Sequence, residues 1–502
     1  MPDQPDQTAP FNLAAHVLRE GQSCADKTAL EIHGPDGADC WSYRRLIDAT
    51  RGTATGLLEL GLRPGDRVLM RLGNSVEFPL AYLGAIAAGL VPIPTSAQLS
   101  RPEITRIAKA LDPALVIAGP GIACPDHPAP VLSADDLHRF HHLPPADWHR
   151  GDPDRPAYII LTSGTSGQTR AVVHAHRAIL ARRMMWDGWY GLRADDRLLH
   201  AGAFNWTYTL GTGLMDPWSI GATALIPRAG TASTDLPALL ERSKATIFAA
   251  APGVYRQILR SDMPGLPALR HGLSAGEKLP ETLRAAWRTA TGREVHEAFG
   301  MSECSTFISG NPDRPAPPDT LGWPQNGRRI ALLDDNGATV APGAPGIIAI
   351  HRDDPGLMLG YHGDPEATAN RFAGDWFLTG DLACGTEAGA LRYLGRNDDM
   401  MNAGGIRVSP IEVETALTDH PGVTEAAACE VRVGPETTVI AAFWSGPAPI
   451  AEDQLRAFAA ERLASYKLPR LFVRVDHLPR GANNKLLRRA LRQDWEKNHG
   501  QT

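Results

Sequence analysis

The 502-residue sequence lacks the patterns that announce several functional classes. Its six cysteines, at positions 24, 40, 124, 304, 384 and 429, form no Cys-x-x-Cys pair and no metal-ligand spacing, so they are expected as free thiols in a reducing compartment. The 17 histidines show no HExxH motif or paired spacing, and no protein-bound transition metal is expected. A formal net charge of -6 leaves no basic footprint for nucleic acid. The uncharged stretch Phe78 to Ser100 is long enough to span a bilayer, but Pro79, Gly84, Gly89, Pro92 and Pro94 interrupt it. It reads as a buried helix followed by a buried strand, and no membrane partner is expected. Met1 to Pro10 is polar and acidic, unlike a secretory signal, which makes the cytoplasm the expected location. No internal repeat and no Walker A loop are present.

What is present is enough apolar sequence for more than one core. A hydrophobic content of 43% with 21% charged residues fits a globular enzyme, and the length predicts at least two domains. Ser42 is placed to cap a helix with Tyr43, Leu46, Ile47, Ala54, Leu57 and Leu58 on its apolar face. Asp66 to Leu72 reads as a strand, and after Ser100 a helix from about Pro102 and a strand at Leu115 to Ala118 follow. This alternation predicts an α/β fold with largely parallel sheets that bind ligands at strand carboxyl ends. At Gly395 to Asp399 the apolar periodicity stops, and a domain boundary is placed there, giving residues 1–396 and 397–502. Beyond it, Ser409, Pro410 and Glu412 read as the N-cap, first position and capping-box partner of a helix. The strands at Val423 to Val431 and Leu471 to Val475, with a helix at Glu452 to Ala464, complete a small α+β domain.

Four local patterns carry the chemistry. The uncharged run Tyr158 to Leu161 feeds Thr162-Ser163-Gly164-Thr165-Ser166-Gly167, whose glycines and hydroxyls suit close backbone approach to a polyphosphate. Taken alone, such a cluster favours an ordinary solvated connection. Ser274 to Glu277 ends one strand candidate, and Glu297-Ala298-Phe299-Gly300-Met301-Ser302-Glu303 ends another with a hydroxyl beside a carboxylate. Trp376 to Asp381 ends an apolar run in a turn with one carboxylate, well placed for ribose hydroxyls.

In this order the patterns resemble the adenylate-forming superfamily, which includes acyl-CoA synthetases, amino-acid adenylation domains and firefly luciferase. Thr162 to Gly167 resembles its phosphate loop, Phe299 to Glu303 its Tyr-Gly-x-Thr-Glu motif and Thr379 to Asp381 its Thr-Gly-Asp motif, while Gly395 to Glu414 resembles its hinge region. Lys485 falls at its C-terminal catalytic lysine. The resemblance covers nearly the whole chain and is nearest to acyl-CoA synthetases of the benzoate–CoA ligase or medium-chain type. It implies a large N-terminal α/β domain, a small mobile α+β C-terminal domain and two half-reactions, an acyl-adenylate forming first and a thiol then displacing AMP.

The resemblance also assigns roles. Lys485 and Arg170 supply cations, Glu303 helps Mg²⁺ hold the phosphates, and Thr162 to Gly167 cradle them. Ser274, Ala275, Gly276 and Glu277, with Glu297, Ala298 and Phe299, line the adenine slot, Gly300, Met301 and Ser302 also bind the nucleotide, and Asp381 and Arg396 hold the ribose. Asp398 is the hinge. Gly404, Gly405 and Arg407, with Tyr466 and Lys467, face CoA. The acid is expected along Trp206, Thr207, Tyr208, Leu210, Ala275, Met301 and Phe307. The chain departs from the family pattern at Thr169, Arg170 and Ala171 in place of Pro, Lys and Gly, at Phe299 for Tyr, at Ser302 for Thr and at Asn402 for Lys. Phe204 and Trp206 are followed by Asn205 and Thr207 rather than by the Asp that binds a substrate ammonium, so an α-amino acid is not expected. An apolar aromatic or medium-chain acid is expected, with ATP, Mg²⁺ and CoA, in a monomer or homodimer. A free carrier protein as acceptor, or a nucleotide-binding sensor without turnover, are the competing expectations.

Overall fold

The computed structural model describes residues 9–34, 37–163, 169–334, 336–397, 399–403, 406–434, 437–463, 465–481 and 486–499. These divide into two compact units, Met1–Arg329 with Arg352–Phe372, and Ile330–His351 with Ala373–Thr502.

The first unit is built on three sheets. Strands β1 (Thr28–Gly34) and β2 (Gly37–Ser42) lead into the helix Tyr43–Glu59, where the Ser42 hydroxyl accepts from the Arg45 amide at 3.2 Å. Tyr43, Leu46, Ile47, Ala54 and Leu57 are buried as the helical spacing predicts, whereas Leu58 is 37% exposed and lies off that face. Strands β3 (Arg67–Arg71), β4 (Val91–Pro94), β5 (Leu115–Ala118) and β6 (Val131–Ser133) pair in parallel in the order β4-β3-β5-β6. The stretch that was long enough for a bilayer is the buried helix Glu77–Ala87 followed by β4, and no helix among the described residues is long and apolar enough to cross a membrane.

Strands β7 (Pro156–Ser163) and β8 (Thr169–Ala175) flank the glycine-rich loop. They pair antiparallel, with Thr162 opposite Arg170, so this pair departs from the largely parallel pairing that the α/β alternation predicted. Strands β9 (Arg197–His200), β10 (Thr223–Pro227), β11 (Ile247–Ala250), β12 (His271–Ala275), β13 (Val295–Met301), β14 (Ser305–Ser309) and β15 (Trp323–Pro324) complete a nine-stranded sheet in the order β15-β14-β13-β12-β11-β9-β10-β1-β2. From β13 to β1 every neighbour is parallel, and these strands are the near-continuous uncharged runs that a sheet covered on both faces requires. Strand β16 (Gly360–Tyr361) adds to β8, with Tyr361 opposite Val172.

In the second unit, Ile330–Leu333, Pro345–His351, Trp376–Gly385 and Leu391–Arg396 pair antiparallel in succession. Asp381 therefore lies in the middle of a ten-residue strand and not at its end. Gly380, at φ +77°, bends the chain there without stopping it. Gly395 and Arg396, read as part of a polar turn, close the partner strand. Glu425–Gly434 pairs antiparallel with Thr437–Ser445, and Leu471–Arg474 joins in parallel. The helix Pro410–Thr418 begins with Pro410 as predicted, but the capping box does not form. The Ser409 hydroxyl donates to the Leu394 carbonyl, and the Glu412 carboxylate pairs with Lys467 at 2.9 Å. All six cysteines are free thiols.

Candidate active site

The strand that leaves the glycine-rich loop is tied to the Ser302-Glu303 turn through a residue the sequence did not single out. Tyr361 donates its hydroxyl to Glu303 Oε1 at 2.7 Å, and the Arg170 guanidinium lies 5.0 Å over the Tyr361 ring. Burial, reinforced by the Glu303 charge, pushes the Tyr361 hydroxyl up to about 12, so it stays a donor. Glu303 is itself buried, and its main-chain oxygen accepts from the Met358 amide at 2.8 Å. On the other side of the turn, His174 of β8 meets the Ser302 carbonyl at 2.7 Å, and burial lowers that imidazole to about 4, which leaves it neutral. A neutral ring bonded to a carbonyl presents its N–H there. Cation, phenol and carboxylate thus form one chain, while Glu303 Oε2 has no hydrogen-bond donor among the described residues. Ser163 continues β7, with its side chain outside the described set, as are Gly164, Thr165, Ser166 and Gly167.

The β12 and β13 ends come together as predicted. Ser274 and Ala275 are buried at the carboxyl end of β12, Gly276 turns at φ +96°, and Glu277 is half-buried. A Cβ on Gly276 would come within 2.7 Å of the Trp206 ring, so only glycine lets that indole close over the strand end. Ala298, Phe299, Gly300 and Met301 are all within β13, and Gly300 is forced by the Ser305 carbonyl, 2.2 Å from where a Cβ would stand. Phe299 is half-buried and meets Phe307 edge to face at 5.5 Å. Glu297 is occupied locally, accepting from the Leu279 amide at 3.0 Å and pairing with Arg284 at 3.2 Å. Burial raises its carboxyl to about 7 despite Arg284.

Of the residues expected to face the acid, Trp206, Tyr208 and Ala275 share one apolar cluster with Trp189 and Ala249. The Trp206 and Tyr208 rings meet edge to face at 5.2 Å, and the Tyr208 hydroxyl donates to the Leu273 carbonyl at 3.1 Å. Thr207 and Met301 are half-buried, and Phe307 is fully buried. Leu210 is not brought to this group. It packs into a different core with Phe78, Phe204 and Leu214, because the segment Thr209–Met215 is a π-helix that turns it away.

In the second unit both Asp381 oxygens are engaged, one by the Tyr393 hydroxyl at 2.7 Å and the other by Arg396 at 3.2 Å. Arg396 thus fixes the carboxylate it was paired with in the sequence, and Tyr393 is a partner that went unnoticed. Asp398, Gly404, Gly405 and Lys485 lie outside the described residues, as do the side chains of Arg407 and Tyr466. Among the described residues no group of three or more His, Cys, Asp or Glu side chains is placed to hold a metal ion.

Residues 18–362 match the family described as AMP-binding enzyme, and residues 412–485 match the AMP-binding enzyme C-terminal domain. The chain belongs to the AMP-binding enzyme family. It is 30% identical to the benzoate–CoA ligase of Thauera aromatica, over 91% of this chain and 91% of that protein. Among solved structures, ATP-bound MatB from Rhodopseudomonas palustris matches with a TM-score of 0.88 at 26% identity, covering 98% of this chain and 100% of that one. The anthranilate CoA ligase AuaEII in complex with anthranoyl-AMP matches with a TM-score of 0.85 at 28% identity, covering 98% of each chain. As an AMP-binding enzyme the protein has the adenylate-forming fold and is an AMP-forming acid–thiol ligase.

Proposed function

We propose that the protein is an ATP-dependent acid–CoA ligase for an apolar aromatic or medium-chain carboxylic acid. The observation that carries this is the chain Arg170–Tyr361–Glu303, which couples the strand leaving the glycine-rich loop to a buried carboxylate with one oxygen left open. An anionic acid must approach a polyanionic nucleotide, so positioned charge is the first requirement of the reaction. Thr162 to Gly167 would hold the phosphates, Arg170 would add a cation beside them, and Lys485 would bridge the acid carboxylate and the α-phosphate. The residues fit magnesium, a hard cation that takes oxygen ligands, through Glu303 Oε2. Magnesium, when bound, offsets phosphate charge. Ser274 to Glu277 and Phe299 would lie along the adenine, with Asp381 and Arg396 on the ribose hydroxyls.

For the thioester step, residues 397–502 would act as the mobile part with Asp398 as the hinge, exchanging Lys485 for Gly404, Gly405 and Arg407, with Tyr466 and Lys467 completing the CoA contacts. Lys467 is held by Glu412 at 2.9 Å, which supports a fixed cation on that surface. The apolar cluster of Trp206, Tyr208 and Ala275, together with relatives named for benzoate and anthranilate, favours an aromatic acid. A cytoplasmic monomer or homodimer fits this role. The test is acid-dependent exchange of pyrophosphate into ATP across benzoates, cinnamates and straight-chain acids, followed by thioester detection with CoA. Exchange with one acid class and a CoA thioester support the proposal; exchange without a thioester points to a carrier-protein acceptor, and no exchange with any acid points to a nucleotide sensor.

A further inference from the structure

The sheet face that carries the acid-facing cluster has one polar point. Leu198, Ile247, Ala249, Leu273, Ala275 and Ala298 form an apolar wall across β9, β11, β12 and β13. The parallel register sets His200, the last residue of β9, beside Ala249, and Ala249 beside Leu273, so the imidazole stands on that same face at the strand carboxyl ends. His200 is fully buried and meets the Tyr208 ring edge to face at 4.4 Å. Neither of its ring nitrogens has a hydrogen-bond partner among the described residues, and the same holds for the buried hydroxyl of Thr209. The two groups face one spot: a Cβ on Gly202 would stand 2.2 Å from Thr209 Oγ1 and 3.1 Å from His200 Nδ1. Gly202 is half-buried, so this spot lies just beneath an accessible stretch of backbone. Thr209 opens the π-helix Thr209–Met215, a rare geometry that is frequent at functional sites.

Among the other buried imidazoles of the same unit, His141 also has neither ring nitrogen paired among the described residues, but it packs against Trp41 and not on this wall. His271 meets the Tyr190 carbonyl at 2.8 Å and His174 meets the Ser302 carbonyl at 2.7 Å. A polar pair left open on the wall of an otherwise apolar site is what a ligand group completes. We propose that His200 and Thr209 form a notch that hydrogen-bonds a neutral hydroxyl or aryl-amine substituent on the acid, so that the preferred substrate is a hydroxylated or amino-substituted acid and not its plain hydrocarbon parent. This rests on the acid–CoA ligase reading. Burial, with Arg182 adding to it, lowers the His200 pKa to about 3, and the neutral ring offers one N–H donor and one acceptor. The notch thus matches a group that both gives and takes a hydrogen bond, and it offers no fixed charge to a second carboxylate or to an ammonium.

The test is kcat/KM for AMP release with ATP, Mg²⁺ and CoA on matched pairs: benzoate against its hydroxy and amino isomers, and hexanoate against 6-hydroxyhexanoate. The wild-type chain is expected to favour the substituted member of at least one pair by about 100-fold or more, since a site built to bond a hydroxyl rejects the analogue that lacks it. In Thr209→Val, which keeps the side-chain shape, and in His200→Phe, that ratio is expected to fall towards one while the parent acid is still activated. Preference for the parent in every pair, or a ratio that survives both substitutions, overturns the notch and leaves the ligase reading intact. Silence with every acid overturns both. The wild-type ratio needs no variant, so a misfolded His200→Phe does not protect the proposal.

Discussion

The ion pair Arg182–Asp216 is buried, with side-chain exposures of 7% and 1%. It is bidentate, with Nε on Oδ1 at 2.8 Å and Nη2 on Oδ2 at 2.6 Å. Tyr190 adds a third bond to Asp216 at 2.7 Å, and the remaining guanidinium nitrogen reaches Ser305 Oγ at 2.6 Å. Burial opposes the Arg182 charge, yet Asp216 and Tyr190 raise its pKa above the ordinary arginine value. The cation fills the space over Gly211, where a Cβ would stand 2.2 Å from it, and so locks the π-helix against β14. Asp216→Asn keeps the volume but strands the cation. Removing one partner of a buried pair costs about 3–5 kcal/mol, whereas an exposed pair is worth about 1 kcal/mol or less. Arg329–Asp353 is the control, with a 3.0 Å bond and exposures of 58% and 61%. Urea denaturation should show Asp216→Asn losing several kcal/mol and Asp353→Asn almost nothing. Equal small losses would refute the argument that burial, not bond length, sets the value of these pairs.

Three further outcomes are expected. Tyr361→Phe removes the 2.7 Å donor from the Glu303 carboxylate, and a bond to a charged group is worth about 1.5–3 kcal/mol, so kcat/KM should fall about tenfold or more with a higher Mg²⁺ requirement. A lowered melting temperature with an unchanged Mg²⁺ titration would contradict this. His16, His141, His174, His176, His200, His271 and His296 are all lowered by burial to about 3 or 4 from 6.5. Between those values the unfolded chain binds more protons, so stability is complete above 6.5 and is lost as pH falls toward 4, at about 1.4 kcal/mol per unit for each histidine. Glu297, raised to about 7, works in the opposite sense, its contribution being lost as pH rises through 7. Denaturation midpoints measured from pH 8 to 5 should drop steeply at the acid end; a flat profile would count against buried neutral histidines. Lys485→Ala should abolish adenylate formation while a preformed acyl-adenylate is still converted to thioester, and equal loss of both steps would remove Lys485 from its proposed role.

The parallel sheets were legible because a strand buried on both faces is mostly apolar along its length. Leu115–Ala118 matches its reading residue for residue. The helix at Tyr43 was legible from one cap and a 3.6-residue period, and only its last apolar position misled. The β7–β8 hairpin was not, since a glycine-rich loop looks the same whether the chain turns back or enters a helix. Asp381 was misplaced for a related reason. Thr-Gly-Asp has the composition of a turn, yet Gly380 takes its positive φ inside a continuing strand. Tyr361 and Tyr393 carry no local signal, because their roles depend on carboxylates brought to them by sheet pairing. Glu303 illustrates the division well: its residue type was readable, while the phenol that orients it is 58 positions away.

The most direct measurement is the stoichiometry of AMP and acyl-CoA formed from ATP, Mg²⁺, CoA and the acid class that supports pyrophosphate exchange. One AMP released for each thioester, with neither formed when CoA is withheld beyond a single turnover, is the result expected of an acid–CoA ligase. AMP release that proceeds at the same rate without CoA, with no thioester formed, would contradict it.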